Sequence, residues 1–167
     1  MSVRPIILLG DPRLRLKGLT VDSFNKSLHE LLDDMTETMY AAPGVGLAAS
    51  QVDVHKQILI IDVSEDRSDL RVFINPEITR REGQAVNQEG CLSVPGIYDN
   101  VERAESVTVT ALDRNGARFT LNASGLLATC IQHEMDHLRG RVFVEHLSDL
   151  KQNRIRAKLK KRQRKAA

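Results

Sequence analysis

Phe24, Leu28, Leu31, Met35 and Met39 are apolar positions spaced three and four apart among polar and charged residues. That spacing predicts an amphipathic helix behind an Asp22 cap, with its apolar stripe in the core. The helix should stop before Pro43, because the residue preceding a proline is pushed out of the helical region. Short apolar or alternating runs follow, and Gln57–Val63, Leu70–Asn75 and Ile78–Val86 read as strands. Ser106–Asp113 and Arg118–Ala123 read as two more, flanking Asn115-Gly116, a pair that tolerates the positive φ of a tight hairpin turn. Helical spacing returns from Leu126 to Leu138, between Ser124 as N-cap and Gly140 as stop. It returns sparsely at Leu150, Ile155 and Leu159, behind Ser148 and Asp149, in a helix expected to fray near Arg162. This order predicts an α+β fold: largely antiparallel sheets around a central helix, with an N-terminal and a C-terminal helix.

The central helix carries the chemistry. Leu126, Cys130, His133 and His137 share one stripe, and Leu127, Ile131 and Leu138 form an adjacent apolar one, so the helix reads as mostly buried. Within Gln132-His133-Glu134-Met135-Asp136-His137 the two imidazoles stand four residues apart, stacked at roughly 5–6 Å on one face. Two such groups chelate one divalent ion, and Glu134, one step round, reaches water without ligating. Buried without a metal, the same pair would be costly.

Catalytic sites of this kind use three protein ligands and keep one position open. A familiar protease extension would put a third histidine three residues after Gly140, but Phe143 stands there and a phenyl ring cannot ligate. Glu145 and His146 would need a tight reversal to reach the ion and read as solvated rim residues. Cys91, within Glu89-Gly90-Cys91-Leu92-Ser93, is the better candidate; Leu92-Ser93-Val94-Pro95-Gly96 after it reads as a short strand ending in a turn. The chain has two cysteines, read as thiols rather than a disulfide. Cys130, one turn before His133, reads as a small buried hydrophobe lining the pocket.

A third segment, Gly44-Val45-Gly46-Leu47-Ala48-Ala49-Ser50-Gln51, lacks the lysine and hydroxyl of a phosphate loop; its small residues let another backbone approach closely, as an extended peptide would. Gln51 ends it with an amide that can donate to a developing oxyanion, or is an ordinary exposed glutamine. In this order and at this spacing, G-x-G-x-A-A-x-Q, E-G-C-L-S and Q-H-E-x-D-H resemble the peptide deformylase family from Gly44 to His137. The resemblance implies that Cys91, His133 and His137 hold one divalent ion, ferrous iron in the cell with zinc, nickel or cobalt as replacements. It implies Glu134 as general acid/base, and Gln51 with the Leu92 backbone N–H as the oxyanion pocket. Val45, Gly46, Gly90, Leu126 and Cys130 would surround the formyl-methionine side chain, with Thr129 making that pocket more polar or narrower. Arg103 is either a peptide contact or a surface salt bridge. The implied reaction removes the N-formyl group from the initiator methionine of new proteins, releasing formate. A thiolate and two imidazoles suit it, since a metal lowers the pKa of bound water from about 15.7 towards about 7.

The 167 residues suit one domain with a dry metal pocket, residues 1–147 forming its catalytic part and 148–167 a basic helix and tail. Ile6-Ile7-Leu8-Leu9 is too short to span a bilayer or serve as a signal core, so no membrane partner and a cytoplasmic location are expected. The formal charge of +2 conceals a segregation: Lys151 to Lys165 holds nine of the 24 basic residues and no acid, leaving residues 1–150 at −7. The tail is either a solvated charged helix or an RNA-facing one, and the resemblance implies docking on the ribosome, with no specific DNA binding. A metalloendopeptidase would use similar machinery with a longer cleft. A nucleic-acid-binding module with structural zinc would leave Glu134 and Gln51 idle.

Overall fold

A computed structural model describes residues 2–166. Helix α1 spans Lys26–Ala41 and ends before Pro43 as expected. Its cap is Asn25, not Asp22: the Asn25 side chain accepts the Leu28 N–H at 3.1 Å, satisfying a donor that the helix itself leaves unpaired. Seven strands follow: β1 (Gly46–Ala48), β2 (Ile58–Ile61), β3 (Arg71–Glu82), β4 (Ala85–Cys91), β5 (Val94–Arg103), β6 (Ser106–Leu112) and β7 (Arg118–Ser124). Helix α2 is Gly125–Leu138 and α3 is Asp149–Ala166. An antiparallel five-stranded sheet runs β1-β2-β3-β6-β7, and β4 and β5 form a separate antiparallel hairpin. The architecture is the expected α+β one. No helix among the described residues is long and apolar enough to cross a membrane.

Beyond shifts of one or two residues at the ends of β2, β6 and β7, four boundaries differ from the sequence reading. Leu70–Asn75 and part of Ile78–Val86 belong to one strand, β3, which continues through a bulge where Asn75 has φ 51° and Pro76 offers no N–H to the ladder. Val86 belongs instead to β4, whose Asn87, Gln88 and Glu89 hid it because they do not alternate with apolar residues. Cys91 ends β4, Leu92-Ser93 is a turn, and Val94-Pro95-Gly96 opens β5 rather than closing a strand. Helix α3 does not fray at Arg162, whose Nη1 donates to the Pro95 carbonyl while Ile155 and Leu159 pack inward.

The continuous apolar run of β2 follows from burial on both faces. Ile58 and Ile60 join α1 residues Leu28, Leu32, Met35 and Met39. Leu59 and Ile61, pointing the other way, join Ala128, Ile131 and Met135 of α2. A third cluster joins the N-terminal segment, the β4–β5 hairpin, Phe143 and α3. Helix α2 is thus buried on most of its circumference, with Glu134 against Gly46 of β1 and His137 against Cys91 at the end of β4.

Candidate active site

Along α2, His133 and His137 are both buried, at 7% and 0% exposure. Cys91 reaches them from the end of β4, and among the described residues one ligand atom from each of the three lies within 4.8 Å of the others. Cys91 Sγ is 3.3 Å from His137 Nε2. The donors fit a divalent cation: a thiol and two imidazoles suit zinc, iron, cobalt or nickel, and three protein ligands would leave room for a water ligand. Burial and the neighbouring His133 charge hold the His137 pKa well below the usual range, so it is neutral as a ligand must be. On His133 burial opposes charge, but Cys91, Glu89 and Glu134 outweigh it and raise its pKa; a bound cation displaces that proton.

The orientation of His133 comes from Glu89. Burial acts to raise the Glu89 pKa, but hydrogen bonds from His133 and Arg103 lower it overall, so the group is an acceptor only. Its Oε1 lies 2.9 Å from His133 Nδ1, which therefore carries the hydrogen and leaves Nε2 free for a cation. Arg103 grips Glu89 through Nε and Nη2 and Asp136 Oδ2 through Nη1 at 3.0 Å. At 8% exposure Arg103 is neither a peptide contact nor a surface bridge; it is the buried link joining β5, β4 and α2. Phe143, in place of a third histidine, lies beside the His133 ring with centroids 5.9 Å apart. Glu145 and His146 sit at the periphery as expected, bonded to Arg15 and Asp136.

Gln51 is 1% exposed, which excludes an ordinary surface glutamine. Ala48 N–H donates to its Oε1 at 2.9 Å, so Nε2 must face the other way, towards Ser93 Oγ at 3.0 Å and Cys91 Sγ at 3.6 Å. Glu134 is 4% exposed, its Oε2 has no partner, and burial pushes its pKa up to about 7. Burial likewise pushes the Cys130 thiol up to about 12, so it stays protonated and does not compete as a ligand.

Cys91, Cys130, His133 and Glu134 line a pocket of about 620 Å³ whose walls also include Val45, Gly46, Gly90, Leu92, Leu126 and Thr129. A similar cavity of about 660 Å³, along residues 5–13, contains none of the metal donors. Val45 and Leu126 are half-exposed at the mouth, at 47% and 57%. Gly46 admits Glu134, whose Cγ would lie 3.1 Å from an added Cβ. Gly90 leaves room for the Tyr98 ring, which a Cβ would overlap at 2.4 Å. The sequence reading missed Tyr98, Ser93 and the roles of Glu89 and Asp136. Glu89 and Ser93 lie inside the motif that supplied Cys91, but their contacts run to α2 and to Gln51, which no local spacing encodes.

Fold and site together define an α+β protein with one Cys-His-His metal site on an HExxH helix. The profile of the polypeptide deformylase family matches residues 3–153. A peptide deformylase of Chromobacterium violaceum is 56% identical over 164 residues, covering 98% of each chain. The crystal structure of a peptide deformylase from Legionella pneumophila superposes with a TM-score of 0.94 at 49% identity, over 98% of this chain and 96% of that one. That of Ehrlichia chaffeensis in complex with actinonin gives 0.92 at 42% identity, over 98% and 99%. The chain belongs to the polypeptide deformylase family, whose members are metal-dependent enzymes that take formyl groups from polypeptides, and it is such an enzyme.

Proposed function

We propose that the chain hydrolyses the N-formyl amide of the initiator methionine on newly made proteins, releasing formate. The observation that carries this reading is that Cys91, His133 and the buried Glu134 carboxylate line one pocket, while His137 Nε2 lies 3.3 Å and the Gln51 amide nitrogen 3.6 Å from Cys91 Sγ. Cys91 Sγ and the two imidazoles would hold one divalent ion, ferrous iron in the cell, with zinc, nickel or cobalt able to replace it. When bound, that ion supplies Lewis acidity that makes water a nucleophile at neutral pH.

The remaining work falls to the protein. The methionine side chain lies among Val45, Gly46, Gly90, Leu126 and Cys130, and the peptide backbone runs along the Gly44–Gly46 segment. As water oxygen adds to the formyl carbon, Glu134 accepts its proton. Gln51 Nε2–H and the Leu92 backbone N–H donate to the formyl oxygen as it gains charge. The C–N bond then breaks, Glu134 returns the proton to the amine nitrogen, and formate leaves. The nine basic residues of α3 dock the enzyme on the ribosome, in the cytoplasm, where formylated chains emerge.

The test uses metal-loaded protein with formyl-Met-Ala-Ser and an unformylated internal peptide. Formate is expected from the first, no cleavage of the second, and inhibition by actinonin, the ligand of the Ehrlichia relative. Glu134→Ala should abolish formate release while the metal content stays whole. Cleavage of the internal peptide, or metal-loaded protein that releases no formate, would overturn the reading.

A further inference from the structure

We infer that Ser93 is a positioning residue: its hydroxyl takes up one Nε2 hydrogen of Gln51 and so leaves the other directed at the metal side of the pocket. The inference rests on the proposed role of Gln51 as oxyanion donor and says what holds that donor in place. A glutamine amide has one acceptor oxygen and two N–H donors, so three contacts fix it completely. Here Ala48 N–H meets Oε1 at 2.9 Å, Ser93 Oγ receives Nε2 at 3.0 Å, and the second hydrogen is left on the side where Cys91 Sγ lies 3.6 Å away. Without the hydroxyl the terminal amide keeps only one of its two anchors and can rotate about its last torsion, which is broad and two-fold in such side chains.

The backbone around this pair is braced by a separate element. Ser93 is fully buried and Gln51 nearly so. Ile7 N–H donates to the Gln51 carbonyl at 2.8 Å, and Leu9 N–H to the Ser93 carbonyl at 2.8 Å. Both donors come from one stretch of chain near the N-terminus, which thereby ties the turn after β4 to the 3-10 turn Ala49–Val52 that carries Gln51. The two side chains meet across 42 residues of sequence because this segment sets the distance between their main chains. The Ser93 hydroxyl meets the site through its hydrogen bond from Gln51 Nε2, so its effect on rate is expected to run through Gln51.

A double-mutant cycle on the zinc-loaded enzyme tests this, with kcat, KM and metal content measured for Ser93→Ala, Gln51→Ala and the pair. Ser93→Ala is expected to lower kcat about tenfold, with KM within about twofold and metal content unchanged. Adding it to Gln51→Ala should cost nothing more. Ser93→Ala at full kcat, or two losses that multiply, would overturn the inference. Full activity in Gln51→Ala would instead sink the oxyanion reading on which it stands, so the two failures are distinct. Nuclear magnetic resonance of the Gln51 side-chain amide supplies a readout independent of turnover. Two separate, slowly exchanging protons are expected in the parent and loss of that protection in Ser93→Ala; equal protection in both would also count against the role.

Discussion

A single amide decides more here than its abundance in proteins would foretell. Gln51 is buried beside a sulfur, with its oxygen occupied by Ala48 N–H and its nitrogen facing the metal donors. As the proposed oxyanion donor it acts only once charge develops on the formyl oxygen, so its loss should fall on turnover rather than binding. Gln51→Ala is expected to reduce kcat about 10² to 10³-fold, with the metal retained, as steady-state kinetics and metal analysis would show. Glu134 occupies the complementary position. Its carboxylate is desolvated by Gly46 and α2, which raises its pKa to about 7 and suits the proposed role of accepting and returning a proton.

Elements are held in register by buried polar links as much as by apolar packing. Arg103 on β5 bonds Glu89 on β4 and Asp136 on α2, so one guanidinium joins the hairpin that carries Cys91 to the helix that carries both histidines. Removing it takes the guanidinium from the buried Glu89 and the half-buried Asp136, and Arg103→Ala should destabilise the fold by about 3–5 kcal/mol in denaturant titrations. It should also weaken metal binding about 10 to 100-fold, because Glu89 would no longer be fixed behind His133. At the far side of the sheet, the α1 residue Tyr40 donates to Asp62 at 2.6 Å, and the Asp62 N–H donates to the Val45 carbonyl beside the pocket mouth. Burial and Asp62 raise the Tyr40 pKa to about 12, above its ordinary value of 10.0. The folded protein therefore keeps a proton that the unfolded chain releases, so this stabilisation is full below pH 10 and fades as pH rises through about 12. Denaturation midpoints compared at pH 9 and pH 11.5 should fall less for Tyr40→Phe than for the parent.

Taken whole, the molecule pairs an acidic body with a basic helix. Residues 1–150 carry −7 and α3 nine positive charges, a separation suited to meeting a phosphate-rich surface tail first. Deleting residues 151–167 is expected to weaken cosedimentation with ribosomes, most at low salt, while formyl-tripeptide turnover is spared; equal cosedimentation with and without the tail would argue against docking. The fold class, α1, the hairpin at Asn115-Gly116 and the pairing of His133 with His137 were legible because each rests on local periodicity or on residue chemistry at short spacing. The β4–β5 hairpin was not, since its polar residues face a pocket and a buried arginine that exist only once the chain is folded. Sequence by itself determined which side chains can bind a metal and accept a proton, because those capacities belong to the residues. Tertiary structure alone decided that Arg103 is buried, that Phe143 lies against the His133 ring, and that Ser93 meets Gln51. Such contacts join segments tens of residues apart, and their distances are set by packing, which no local pattern records.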